Sequence, residues 1–130
     1  MPGEKDLSTL LKTLEPTLQE GEYVFCCVPE LDGIDQGEVL LSFREAEGVT
    51  VILRKERADG LGLTYSYVAA WITLTAHSSL EAVGLTAAFS GALAGEGISC
   101  NVVAAYYHDH IFVNAADAAR AMAVLQTLSQ

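Results

Sequence analysis

Trp71–Gly97, WITLTAHSSLEAVGLTAAFSGALAGEG, carries two different hydrophobic periods in succession. Trp71 to Thr75 alternates, with Ile72 and Leu74 on one face and Trp71, Thr73 and Thr75 on the other, which predicts a strand. Leu85, Ala88, Phe89, Ala92 and Leu93 then fall at i, i+3, i+4, i+7 and i+8, the stripe of a helix laid on a sheet. The opposite helix face, Thr86, Ser90 and Gly91, is small and polar, able to meet a partner closely. Gly95 and Gly97 predict the C-terminal stop. Between strand and helix runs a loop, His77 to Gly84, with two hydroxyls, a histidine and a flexible glycine. The opening turn of a helix leaves backbone N–H groups unpaired, and these suit carboxylates and other anions. This loop is the expected seat of a small ligand.

Downstream, Val102 to Tyr107 predicts the next strand, His108-Asp109 a two-residue turn, and His110 to Val113 an antiparallel return. Asn114 with Asp117 three residues on resembles a helix N-terminus with a reciprocal acid. Ala118, Ala121, Met122, Leu125 and Leu128 form the buried stripe of a last helix. From Trp71 the order is strand, helix, strand, strand, helix. That is five of the six elements of a ferredoxin-like βαββαβ unit, an α+β fold whose two helices cover one face of an antiparallel sheet. The sixth, a strand, must come from the first half of the chain.

Upstream, Leu7, Leu10, Leu11, Leu14 and Leu18 recur at helical spacing behind a capping Asp6, and Pro16 should end or kink that helix. Glu22 to Val28 reads as a strand, with Cys26 and Cys27 on opposite faces. Pro29 to Gly37, PELDGIDQG, reads as a solvated loop; its acids lack the spacing and terminal Glu of a calcium loop. Glu38 to Glu45 and Val49 to Arg54 read as strands joined at Ala46-Glu47-Gly48. Val39, Leu41 and Phe43 share one face of the first, and Val49, Val51 and Leu53 one face of the second. Lys55 to Leu63 allows one or two helical turns before Gly60 and Gly62 break them. The first half therefore offers several strands, and the two halves are expected to share a sheet or swap a strand.

The totals exclude several classes. At 130 residues the chain fits one domain, or two small ones sharing a core, and with 51% hydrophobic residues it is too apolar for disorder. A net charge of −10 argues against nucleic acid, since phosphate binding needs clustered Lys and Arg. Residues 1–65 hold 13 acids and 6 bases, against 4 acids and 1 base in residues 66–130, so the second half should dominate the core. Apolar runs are interrupted every few residues and no charged, then apolar leader opens the chain, so neither a membrane span nor export is expected. The expected place is the cytoplasm. Cys26, Cys27 and Cys100, odd in number and without a C-x-x-C pair, read as small buried hydrophobes.

Catalysis finds little support. His108 and His110 would share a face as an H-x-H pair, with His77 ending the neighbouring strand, but carboxylates are scarce nearby apart from Asp109. Ser79, His77 and Asp109 could be assembled into a triad, yet there is no G-x-S-x-G elbow, and no glycine-rich phosphate fingerprint. No catalytic residue, metal site or cofactor is expected. Binding fares better: a zwitterion wants N–H donors and hydroxyls for its carboxylate, which the loop offers, and Asn101 at the strand start Ser99 to Val102 is a two-way hydrogen-bonding group. The plainer alternative is that Ser78 and Ser79 cap the helix and Asn101 finishes a turn.

The segment LTAHSSLEAVGLTAAFSGALAGEGISCNVVAAYYHDHIFV, followed by an Ala-rich helix, resembles an ACT domain, the small regulatory module of aspartate kinase and other amino-acid-metabolic enzymes. The matching features are Val83-Gly84-Leu85 in the loop, a helix ending in Gly97-Ile98-Ser99, and a hairpin with Asp109 before Ile111-Phe112-Val113. Over its whole length, through GEYVF (Gly21–Phe25), the Glu47–Leu53 strand and HSSLEAVGLTAAFS, the chain resembles bacterial stand-alone tandem ACT-like proteins. The resemblance implies ferredoxin-like units in two tandem halves, 1–65 a degenerate copy and 66–130 a fuller one. It implies a non-catalytic module binding a small molecule such as an amino acid, held at domain or subunit interfaces of a homo-oligomer. The residues it assigns to the ligand are His77, Ser78, Val83, Gly84 and Leu85, with Asn101 and Val102 opposite; Ser79 joins them as the second loop hydroxyl. Two other readings are an assembly module with a vestigial pocket, and a metal-dependent enzyme using His77, His108 and His110.

Overall fold

The computed structural model describes residues 6–76 and 82–130. They form two compact units, one from Met1–Glu20 with Ala70–Gln130, the other from Gly21–Ala69. The expected loop residues His77, Ser78 and Ser79 lie outside the described residues.

The first unit opens with α1 (Leu7–Thr13), capped by Asp6, whose carboxylate accepts from the Thr9 amide and from the Ser8 and Thr9 hydroxyls. These hydrogen bonds hold the Asp6 carboxyl below its ordinary range. The helix stops at Leu14, which turns extended. Glu15–Leu18, expected within the reach of the leucine stripe, is instead a strand, β1. The cause is Pro16: it cannot donate within a helix and it drives Glu15 toward extended backbone. A proline is tolerated on β1 because the strand pairs on one side only, with β5 (Val68–Thr75), from Glu15 opposite Thr75 to Leu18 opposite Ile72.

After β5 come α3 (Leu85–Gly95), β6 (Asn101–Ala104), β7 (Asp109–Asn114) and α4 (Ala118–Thr127). The strand order β1-β5-β7-β6 is that of a ferredoxin-like sheet with its fourth strand supplied from upstream in the chain. Leu85, Phe89 and Leu93 of α3 and Ala121 and Leu125 of α4 meet Ala70, Ile72, Leu74, Ile111 and Val113 on one sheet face, closing a core with Leu10 and Leu14. The β6–β7 turn falls at Tyr106-Tyr107, not at His108-Asp109: the Ala105 amide donates to the His108 carbonyl, and Asp109 pairs with Ala104. Asn114 does cap, accepting from the Ala116 amide of a 3-10 turn at Ala115–Asp117. Asp117 does not reach back to it; its carboxylate pairs with Arg120 at 2.9 Å.

The second unit repeats the plan. In chain order it has β2 (Tyr23–Val28), a 3-10 turn at Gln36–Glu38, β3 (Val39–Glu45), β4 (Gly48–Arg54) and α2 (Lys55–Gly60). It closes with the first residues of β5, where Tyr23 pairs with Ala69 and Val24 with Val68. The order β3-β4-β2-β5 is again ferredoxin-like, with a 3-10 turn where the first helix would be. β5 thus serves as fourth strand of this unit and first strand of the other, the shared strand expected from the sequence. Cys26 joins Val24, Val28, Val49, Val51 and Leu53 in the core while Cys27 faces out. The expectation that Val39 shares a face with Leu41 and Phe43 fails, because the pairing with β4 shifts register between Val39 and Leu41. That bulge sends Val39 to the core side and leaves Phe43 65% exposed on the other.

Candidate functional site

The end of β5 and the start of α3 are built from the two halves of the Trp71–Gly97 pattern. Ile72 and Leu74 anchor the strand, Leu85 and Phe89 the helix, and both sets are buried in the same core. Gly84 opens α3 with φ +96°, and its carbonyl accepts from the Ala88 amide at 2.9 Å. An L-residue is strained at that φ. A Cβ there would also lie 3.2 Å from Leu7 Cδ2, because α1 crosses the start of α3. Gly84 brings no side chain to cap the first amides of α3, so they lack the partner that Ser, Thr or Asp at this position supplies. Val83, before it, is 83% exposed, while Leu85, after it, is buried. A helix N-terminus that begins on glycine, flanked by an exposed apolar lip and a buried anchor, is suited to holding an anionic group.

Register decides what else stands at this end. Trp71 stacks on Phe112, with ring centroids 6.4 Å apart, and Thr73 Oγ1 lies 3.1 Å from His110 Nδ1, so β7 runs antiparallel to β5. Asp109 therefore sits near the C-terminal end of β5, on the face shared with Ile111 and Val113, and burial pushes its carboxyl above the ordinary range. Asn101 pairs with Phe112 and so lies at the level of Trp71, four strand residues, or about 13 Å, from Thr75. Within one chain Asn101 and Val102 are at the far end of the sheet from Gly84. The Asn101 side chain donates to the Phe112 carbonyl at 3.3 Å, and Val102 is exposed. Val83, Gly84 and Leu85 open α3 together, Asp109 stands near the C-terminal end of β5, and Asn101 and Val102 lie further along the sheet.

The sheet face away from the helices carries a polar network that the sequence did not announce. Gln19 Nε2 donates to Thr73 Oγ1 at 2.9 Å, Thr73 contacts His110 Nδ1, and Trp71 Nε1 donates to the same nitrogen at 3.0 Å. Nδ1 is thus the acceptor and the neutral ring keeps its proton on Nε2. Burial, and then the neighbouring His108, lower the His110 pKa. Thr73, only 7% exposed, is the buried polar residue of this set, and both partners satisfy it. The period-two alternation placed Trp71 and Thr73 on one face, which was the only available signal. His108 and His110 share that face with ring centroids 5.9 Å apart. Among the described residues no group of three His, Cys, Asp or Glu is placed to hold a metal. Burial raises the Cys100 thiol to about 11, so it stays protonated at neutral pH and is a poor nucleophile.

Family profiles for the ACT domain match residues 2–70 and again 66–127. A Vibrio cholerae protein of unknown function, VC0802, described as a possible transport protein, is 46% identical, with a TM-score of 0.87 over 97% of this chain and 98% of that one. The Clostridium acetobutylicum aspartate kinase, described as an allosteric enzyme, is 9% identical, with a TM-score of 0.62 over 89% of this chain and 34% of the kinase. The ligand-free regulatory subunit of Thermus thermophilus aspartate kinase is 10% identical, with a TM-score of 0.58 over 90% of this chain and 97% of that one. The last two share the fold. Among curated proteins, none matches this sequence. No helix among the described residues is long and apolar enough to cross a membrane.

Proposed function

Because this chain belongs to the ACT domain family, with two such domains in tandem, we propose that it is a non-catalytic regulatory module that binds an amino acid at the start of α3. The observation that carries this reading is the first turn of α3, which receives no side-chain cap from its N-cap residue Gly84. Its amides take the carboxylate; His77, Ser78 and Ser79, which the sequence assigns to the same ligand, lie outside the described residues. Asp109, at the same end of the sheet, supplies the acid an ammonium group needs. Val83 covers the apolar part of the ligand, and Leu85 fixes the helix beneath it. Asn101 and Val102 contribute from a second copy, since register separates them from Gly84 in one chain; the module is a homo-oligomer. Residues 70–130, with Met1–Glu20 in the same unit, carry the working loop, and Gly21–Ala69 is the degenerate copy, whose first helix is reduced to a 3-10 turn. Three free thiols support a reducing, cytoplasmic setting.

The test is amide mapping by NMR on the isotopically labelled full chain. Titration with the twenty L-amino acids should move the amides of Leu85, Thr86 and Ala87 saturably for at least one of them. If none moves these amides, the reading is wrong. A second reading, an assembly module with an empty pocket, is favoured by the exposure of Phe43 and by the exposed small residues Ala87, Gly91 and Ala94 on α3. It expects Phe43→Ser to reduce the mass measured by light scattering while no amino acid binds.

A further inference from the structure

The second unit has a cavity of about 330 Å³ lined by Gly21, Glu22, Arg54, Lys55, Glu56 and Asp59. It lies where β2 begins, β4 ends and α2 starts, and its volume is at the lower end of the range for small-molecule sites. Its wall is organised around Arg54. The guanidinium carbon sits 5.7 Å from the centroid of the Tyr23 ring, its cross-strand partner. On the other side it lies against the Gly21 backbone, where φ is +97° and a Cβ would come within 2.8 Å of the guanidinium nitrogen Nη1. Gly21 and Tyr23 therefore flank the Arg54 head, whose side chain is 45% exposed. Its nearest partner is weak: Glu56 Oε1 stands 4.0 Å from Nη1, beyond hydrogen-bond distance, and no described residue accepts a hydrogen bond from the guanidinium. A planar fork of donors without a hydrogen-bond acceptor among the described residues matches a carboxylate.

The remaining charges say which carboxylate-bearing molecule fits. Asp59 is already engaged through both oxygens, one by Lys55 at 3.0 Å and the other by the Tyr65 hydroxyl at 2.6 Å. That pairing also occupies Lys55, and the Lys55 amide donates to the Glu22 carbonyl, so the cavity floor is fixed. What faces the space is one cation without a hydrogen-bond acceptor among the described residues, Arg54, with two carboxylates, Glu22 and Glu56. A simple anion would meet an excess of acid, and a simple cation would meet Arg54. A zwitterion satisfies both.

We infer that this cavity is a second ligand site, distinct from the start of α3, which binds a small zwitterion of the α-amino acid type. Arg54 takes the carboxylate and Glu22 and Glu56 take the ammonium. The inference stands on residues of the second unit alone and does not depend on the α3 reading.

The same labelled full chain tests it, through the amides of Gly21, Glu22 and Lys55. Titration with the twenty L-amino acids should move these amides saturably for at least one of them. The amine and the carboxylic acid that correspond to the best binder should each bind at least about tenfold more weakly, because each meets only half of the charge pattern. Arg54→Gln should weaken binding by about tenfold or more while the rest of the spectrum stays native, and Arg54→Lys should restore part of it. Unmoved amides at Gly21, Glu22 and Lys55 would overturn the inference, as would equal binding of the carboxylic acid alone or unchanged binding by Arg54→Gln. Movement confined to Leu85–Ala87 would overturn this site and leave the α3 site standing. Movement confined to Gly21, Glu22 and Lys55 would do the reverse.

Discussion

Gly84 is constrained twice, by a left-handed backbone and by Leu7 packed where a Cβ would go. Gly84→Ala should therefore destabilise the protein by about 1–2 kcal/mol, the cost of a left-handed L-residue, measured by urea denaturation. Equal stability would mean that the turn relaxes and that the opening of α3 is not fixed by this residue. His110 carries a different expectation, because its role depends on being neutral. Its folded pKa lies below that of the unfolded chain, through burial and the proximity of His108. The contribution is thus present above the unfolded value of about 6.5 and is lost as pH falls through the lowered folded value. Protonation would place a hydrogen on Nδ1, where Trp71 now donates. Wild type should lose more stability than His110→Gln between pH 7 and pH 5 in paired denaturation curves; parallel losses would remove His110 as the cause.

At the level of elements, long periodic patterns were legible and short ones were not. The α3 stripe and the β4 alternation read true because five positions of the helix and three of the strand repeat one period, and burial rewards Leu85, Phe89 and Leu93 in the first and Val49, Val51 and Leu53 in the second. Phe89, fully buried in that stripe, should cost about 3–5 kcal/mol when replaced by Ala. A loss below about 1 kcal/mol by thermal or urea unfolding would contradict the packing. β1 was hidden because its leucine, Leu18, continues a helical spacing, and only Pro16 marked the change of backbone. β5 begins at Val68 rather than Trp71 because Ala69 and Ala70 carry little strand preference of their own; pairing with Tyr23 and burial place them there. The bulge at Leu40 left no trace in the sequence, since one inserted residue reverses every later face without altering composition. Phe43, which that bulge turns outward, should be replaceable by Ser within about 0.5 kcal/mol of monomer stability.

For the whole molecule, chain order announced the ferredoxin-like plan and a borrowed strand, while the way each unit borrows became visible only in the pairing. β1 completes the first unit from upstream, and β5 serves both units. The candidate site was legible as a helix start, because the glycine and the stripe around it are local. Its partners were not, because whether Asn101 faces Gly84 depends on register across β5, β7 and β6. The cavity at Arg54 was illegible for the same reason, since Gly21, Glu22 and Arg54 meet only once β2 and β4 pair. Amino-acid binding by the chain is checked by its melting temperature in each of the twenty L-amino acids. At a concentration 100 times Kd, a ligand that binds only the folded state adds about 2.7 kcal/mol, which raises the melting temperature by several degrees. At least one amino acid should produce such a saturable rise; twenty unchanged melting temperatures at millimolar concentrations would contradict amino-acid binding.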